Sequence, residues 1–159
     1  MNTHDFNSVL HYAGVLNVEG FPRGDLAELR RMDHEAPKEA SFWKLFADLD
    51  EESRRSRVDE IRWATVIKGV SLMVPGPHKL KASPGKVLKQ SDFSEIRLSK
   101  LLTAPTPEIS RDAFIRTARF LGAKGASLDW AQFASLILSR SDEDKNDSLR
   151  RIARDYYLN

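Results

Sequence analysis

Basic side chains between Lys79 and Lys124 are the residues whose type and spacing best suit chemistry with another molecule. This segment holds ten basic residues against four acidic ones, a formal excess of +6. The 159-residue chain as a whole carries only +2, because its first 75 residues sum to −3. Clustered lysine and arginine commonly neutralise phosphate, so the pattern favours a nucleic-acid or acidic partner. A well-solvated surface is the alternative that charge alone leaves open.

Catalytic and metal-binding patterns are incomplete. No carboxylate completes a ligand set with any of the four histidines. The acidic run 48–52 lacks the glycine and terminal glutamate of a calcium loop. Gly85-Lys86-Val87 resembles the end of a phosphate-binding loop, but Leu80 stands in place of its first glycine and Val87 in place of its Ser/Thr. We therefore expect no enzyme activity, no metal and no cofactor.

The elements that must position the basic residues are predicted to be helices. Apolar residues recur at i, i+3, i+4 and i+7 in the stretches 42–49, 63–74, 130–138 and 149–157. Sustained period-two alternation and hairpin patterns are missing from the sequence, so a sheet has little support. The fold class is predicted to be all-α. Because they lie on the apolar stripes, three tryptophans are expected in the core: Trp43, Trp63 and Trp130.

Two helix starts can be predicted from capping residues. Thr106-Pro107-Glu108 places a capping hydroxyl before a proline at the first helical position. That helix is expected to end near Gly122 or Gly125. Asp129 and Gln132 stand at capping-box spacing and predict a second start.

The clearest break in the helical pattern runs from Val74-Pro75-Gly76-Pro77 to Ser83-Pro84-Gly85. We therefore expect two small helical bundles joined by a basic connector that contains proline and glycine. The predicted units are an N-terminal helical unit at residues 1–74, a connector at 75–90 and a C-terminal bundle at 91–159.

The cellular compartment is constrained by composition. The chain has no cysteine, which fits a reducing cytoplasm and excludes disulfides and thiolate metal sites. Its first residues lack a basic stretch followed by an apolar one, and no apolar run approaches the length of a membrane span. A cytoplasmic protein without membrane contact is the expectation.

Three stretches of the sequence carry a resemblance to a known family. Residues 24–31, Gly-Asp-Leu-Ala-Glu-Leu-Arg-Arg, are followed by the aromatic run Phe-Trp-Lys-Leu at 42–45. Residues 93–102 place a basic residue before a Leu-Leu pair. Residues 127–134, Ser-Leu-Asp-Trp-Ala-Gln-Phe-Ala, precede the tail 151–157. In this order the stretches resemble the small subunit (CasB family) of type I-E CRISPR Cascade complexes.

The resemblance implies a non-catalytic, all-α subunit that is present in more than one copy. Its implied partners are the backbone and large subunits of Cascade, a second copy of itself, and the R-loop formed by guide RNA and target DNA. The implied function is to stabilise the displaced non-target strand through sequence-independent phosphate contacts, which suits lysine and arginine without a base-reading motif.

Seven basic residues are candidate nucleic-acid contacts. By motif position, the resemblance assigns Arg31, Arg97 and Lys100. Charge and helical spacing alone add Lys86, Lys89, Arg116 and Arg119. Surface salt bridging is the alternative for some of them, since Arg116 lies four residues after Asp112.

Other basic residues are less clear candidates. Lys79 and Lys81 could equally belong to a disordered arm. Arg140 is followed by the acidic run 142–144, which argues against a DNA contact there. Two rival functions also remain open: a helical protein–protein interaction subunit without nucleic-acid contact, and a small helical nuclease, for which a convincing metal cluster is missing.

Overall fold

The computed structural model describes residues 1–158 and confirms the all-α prediction. In these residues the helices are α1 Thr3–Val15, α2 Arg23–Arg31, α3 Ala40–Ala47, α4 Arg57–Met73, α5 Pro84–Gln90, α6 Glu95–Leu102, α7 Pro107–Ala123, α8 Trp130–Leu138 and α9 Asp142–Tyr157, with a 3₁₀ turn at Glu51–Arg54. This part of the chain has no strand, and His78 and Leu128 form one isolated bridge. Within it, no helix is both long and apolar enough to cross a membrane.

Side-chain caps fix where several helices begin, as the sequence predicts for α7 and α8. The Thr106 hydroxyl accepts a hydrogen bond from the Ile109 amide at 3.2 Å, and the Asp129 carboxylate accepts one from the Gln132 amide at 3.3 Å. Each bond satisfies an amide that has no partner inside the helix. The end of α7 is also confirmed, because the helix stops at Ala123 and Gly125 follows with φ of 64°.

Helix α4 lies at the centre of the core and is buried along most of its length. Every residue from Trp63 to Ser71 is buried, which is expected of a helix surrounded by others. Helix α7 packs along α4 at close range because Gly122 faces the Leu72 carbonyl, where a Cβ atom would clash. The buried apolar residues form one continuous cluster that includes Val9 and Tyr156.

The segment predicted as a connector is more ordered than a linker. Residues 84–90 form α5, because a proline is tolerated in the first turn of a helix and Gly85 allows close packing on the Ile152 carbonyl of α9. The Lys79 amide donates to the Leu128 carbonyl, and the Asp129 amide donates to the Ala82 carbonyl, both at 2.9 Å. These bonds hold the backbone before α5 against the start of α8. The boundaries of the two predicted units stay a prediction.

The core positions predicted for the tryptophans are confirmed for Trp63 and Trp130, which are 1% and 0% exposed. The prediction for Trp43 is wrong, since this residue is 39% exposed. Helix α3 has only eight residues, and its Phe42 and Phe46 are the buried aromatics. Trp43 makes edge contacts with both of these rings and stays at the margin of the core.

Candidate nucleic-acid interface

A groove of about 620 Å³ between α6 and α7 collects four of the seven predicted contact residues. Arg97 and Lys100 line it from α6, and Arg116 and Arg119 line it from α7. All four side chains are exposed. The structure therefore brings together residues that are up to 22 positions apart in the sequence.

Helical periodicity explains why the basic residues of α6 face outward. Leu98 and Leu101 are buried, while Arg97 and Lys100 are exposed. The Ser94 hydroxyl accepts a hydrogen bond from the Arg97 amide at 3.3 Å and begins the helix there. The buried stripe therefore anchors α6 to the core and leaves its cations in solvent.

Helix α7 follows the same rule. Its buried residues include Phe114, Ala118 and Leu121, and its exposed residues include Arg116 and Arg119. Phe114 stacks on Phe133 with ring centroids 4.3 Å apart, which fixes α7 against α8. Aromatic packing against α8 therefore holds in place the helix that carries these basic residues.

The groove also has apolar walls that the sequence reasoning did not identify. Phe93 and Phe120 line it and meet edge to face with centroids 5.1 Å apart. The Arg97 guanidinium lies 5.1 Å from the Phe120 centroid, and the Lys124 ammonium lies 5.6 Å from it. Both are cation–π contacts that hold a charge beside the groove. The spacing i, i+4 and i+8 of Arg116, Phe120 and Lys124 could have indicated this shared face.

Negative charge in the groove is limited to Asp112 among the lining residues. Its carboxylate lies 2.9 Å from the Arg116 guanidinium, so the predicted i, i+4 pair is present. Both side chains of that pair are exposed, and such pairs are weak. Arg97, Lys100 and Arg119 form no ion pair with any residue in the range 1–158. The groove therefore keeps an excess of available positive charge.

The other three predicted contacts lie outside the groove. Arg31 is exposed at the end of α2. Lys86 and Lys89 are exposed on α5, and the Lys89 ammonium lies 4.9 Å from the Tyr156 ring centroid. The Tyr156 hydroxyl donates to the Phe93 carbonyl at 2.5 Å, so Tyr156 contacts both Lys89 and a residue that lines the groove. Contact of any of the seven residues with nucleic acid stays a prediction.

Arg30, the neighbour of Arg31, has a structural role. Its Nε donates to the Ser71 carbonyl at 2.8 Å and its Nη2 to the Val74 carbonyl at 3.1 Å. These carbonyls lie at the end of α4, where an α-helix leaves acceptors without partners. Arg30 therefore ties α2 to α4 and does not pair with Glu28, whose carboxylate accepts from the Ser41 hydroxyl.

A second group of basic residues comes from α4, α7, the segment between α8 and α9, and α9 itself, and the sequence reasoning missed it. Arg111 forms a bidentate salt bridge with Glu35, in which its Nε and Nη2 donate to the two carboxylate oxygens at 2.7 and 2.8 Å. Arg140 lies 3.4 Å from the buried Asp59 carboxylate and donates to the Glu52 carbonyl. We use the name paired cluster for these two ion-paired residues together with Arg62, which interacts electrostatically with Asp59, and Lys145, which interacts with Asp142.

Burial and repulsion by neighbouring cations act on Arg62 and Lys145 of this cluster. Burial lowers the pKa of Lys145, and the neighbouring Arg111 and Arg62 lower it further, while Asp142 opposes them. The pKa of Arg62 is lowered by burial and by Arg140 and Arg111. Arg140, for which the acidic run 142–144 puts a DNA contact in doubt, is thus partly engaged by Asp59.

Lys79 and Lys81 are exposed, but their backbone amides are both hydrogen-bonded. The Lys81 amide donates to the Asp129 carboxylate at 3.2 Å. In the part of the chain that the structure describes, no group of three or more His, Asp or Glu residues could hold a metal ion.

Comparison with known proteins gives a family match over most of the chain. The family model described as CRISPR-associated protein Cse2 matches residues 25–157. No curated protein and no solved structure matches the chain. The match covers all of the groove and the paired cluster, together with most of the three sequence stretches that carry the resemblance.

Proposed function

Because the chain belongs to the Cse2 family of CRISPR-associated proteins and is therefore a type I-E Cascade subunit, we propose that its groove holds the displaced DNA strand of the R-loop. The observation that carries this proposal is the convergence of four exposed cations from two helices. Three of the four have no ion pair among residues 1–158, so they are available to phosphates.

Phosphate contacts suit this task because the displaced strand can have any sequence. Cationic side chains neutralise the backbone and release counterions whatever the bases are. In a guide-directed complex, base pairing with the guide RNA supplies the sequence specificity. A protein surface that only retains the open strand therefore needs long, exposed cationic side chains, and α6 and α7 carry four of them.

The proposed affinity depends on assembly. A few phosphate contacts give the isolated chain a dissociation constant of about 10⁻⁴ to 10⁻⁶ M at physiological salt. Within the complex the strand is already held nearby, so a high effective concentration turns weak contacts into long retention. The proposed partners are the backbone and large Cascade subunits, a second copy of the chain and the guide RNA–target DNA R-loop.

The remaining predicted contacts extend this proposal. Arg31, Lys86 and Lys89 are exposed and lie away from the groove, so we assign them to neighbouring segments of the strand or the guide duplex. The protein contributes no catalytic step in this proposal, and cytoplasmic assembly with the other subunits is part of it.

The test is the lifetime of the R-loop in the assembled complex as a function of salt. The groove variant replaces Arg97, Lys100, Arg116 and Arg119 by alanine. The control variant replaces three arginines and one lysine that are exposed elsewhere, Arg23, Lys44, Arg54 and Arg57, and so removes the same charge. The groove variant should shorten the lifetime at low salt and flatten its salt dependence, with guide-RNA binding unchanged.

Equal lifetimes for the groove variant and the unmodified protein at every salt concentration would rule out the groove as the strand-holding surface. The subunit would then be a helical protein–protein interaction subunit within the complex. A loss shared equally by both variants would assign the effect to net charge.

A further inference from the structure

We propose that the groove between α6 and α7 also takes nucleobases of the single strand, with its apolar side chains packing against them and its cations holding the flanking phosphates. This inference rests on the proposed function and adds to it a second kind of contact. Phosphate neutralisation alone needs no apolar surface, and the groove has a substantial one.

The apolar lining of the groove is exposed to solvent. Ile109 lines it and is 48% exposed, and Pro105 is exposed beside it. Phe120 and Ala113 are half-buried on the α7 side. Such surface among four cations is costly to leave in water and suits a ligand that is flat, partly apolar and negatively charged around its edge.

Arg97 is arranged for base stacking as well as for phosphate contact. Its guanidinium lies 5.1 Å from the Phe120 centroid, and Phe120 is itself held edge to face by the buried Phe93. A guanidinium supported by a ring offers a planar surface of the kind on which single-stranded bases stack. Because every base has such a face, stacking tolerates any sequence and agrees with the task of holding a displaced strand.

The size and charge of the groove select this occupant. Its volume of about 620 Å³ lies within the range typical of small-molecule sites, so a base with its sugar has room. A neutral apolar peptide would supply no anionic group to Arg97, Lys100 and Arg119. A nucleotide supplies the phosphate and the apolar face in one ligand.

The experiment compares two oligonucleotides of equal length and charge: an oligothymidylate and a strand of abasic deoxyribose phosphates. Binding to the full chain is titrated by fluorescence anisotropy at one low salt concentration. If bases enter the groove, the abasic strand should bind about fivefold more weakly or worse, because the stacking of bases on Arg97 and their packing against the apolar lining are lost while the phosphates remain.

Ile109→Ser serves as the groove variant and Ile96→Ser as its matched control. Both isoleucines are exposed, and Ile96 at 72% exposure is not among the groove residues. Ile109→Ser should bring the affinities for the two strands closer together, and Ile96→Ser should leave their ratio unchanged.

Equal binding of the two strands by the unmodified chain would overturn this inference and leave the proposed phosphate contacts intact. Retention of the full ratio by Ile109→Ser would also overturn it, because the bases would then stack elsewhere. Failure of the unmodified chain to bind either strand would overturn the proposed function together with the inference.

Discussion

Helix α7 carries basic residues of two kinds. One is held in a salt bridge within the fold, and the others are exposed and available to a ligand. Arg111 belongs to the paired cluster, where it donates two hydrogen bonds to Glu35, and its side chain is 15% exposed. Arg116 and Arg119 lie further along the same helix and line the groove. The Arg116 side chain is 72% exposed, and Arg119 has no ion pair among the described residues.

The comparison teaches that charge content alone does not locate a binding surface. Both regions are rich in lysine and arginine, but three of the four cluster residues, Arg62, Arg111 and Lys145, are half-buried, and the cluster faces Glu35, Asp59 and Asp142. The groove has Asp112 as its acidic lining residue and opens to solvent. A phosphate that approaches Arg97, Lys100 or Arg119 replaces water, whereas one that approaches Arg111 or Arg140 must compete with Glu35 or Asp59.

The largest expected effect tests the packing of the core that supports both regions. Trp130, the first residue of α8, is fully buried and contacts Phe114 of α7 and Phe133 of its own helix. Trp130→Ala should lower the free energy of unfolding by about 3–5 kcal/mol, because it leaves a cavity beneath α7. Urea unfolding followed by circular dichroism measures this. An unchanged midpoint would show that the ring contributes no core packing.

The next effect compares the two regions directly. Arg111→Ala should lower the free energy of unfolding by about 2 kcal/mol, because Glu35 loses two charge-assisted hydrogen bonds in a partly buried place. Arg116→Ala breaks an exposed i, i+4 pair and should cost about 0.5 kcal/mol or less. The same urea titration compares both variants. Equal losses would erase the distinction between structural and available cations.

A smaller effect concerns pH. His34 lies beside Glu35 in the region of the paired cluster, and burial lowers its pKa; Lys68 lowers it further, while Glu35, Asp33 and Asp112 oppose this. The unfolded chain then binds more protons than the native one, so stability should fall as the pH drops below about 6.5. His34→Gln should remove this part of the fall.

The groove provides the control for this pH effect. Its lining residues include no histidine, so single-strand binding should stay constant between about pH 6 and 7.5 while stability changes. The unfolding free energies of the unmodified chain and of His34→Gln, measured across that range, should diverge toward low pH. Parallel pH profiles would show that His34 is protonated equally in both states.

Local patterns in the sequence predicted the helices well. Periodic apolar residues and the caps at Thr106 and Asp129 depend only on neighbours along the chain, so they could be found without a structure. Charge and spacing selected Arg116 and Arg119 on α7 for the same reason, whereas the resemblance assigned Arg97 and Lys100 on α6. Their meeting in one groove could not be predicted, because it depends on how α6 folds back against α7.

Long-range pairing explains what the sequence did not predict. Glu35 and Arg111 are 76 residues apart, so no spacing rule connects them. Trp43 fits an apolar stripe, but α3 is short and leaves this residue at the margin of the core. Pro84 looks like a helix breaker in the sequence, but in the structure it lies in the first turn of α5, where proline is tolerated. These features depend on tertiary packing and not on local preference.

The most direct test of the available charge in the groove is the salt dependence of single-stranded DNA binding by the full chain. The logarithm of the binding constant falls linearly with the logarithm of the salt concentration, with a slope of about −0.7 per neutralised phosphate. Replacing Arg97, Lys100, Arg116 and Arg119 by alanine should make this slope shallower by up to about 3. The charge-matched variant at Arg23, Lys44, Arg54 and Arg57 should keep the original slope. Coincident lines for the groove variant and the unmodified chain would contradict the account.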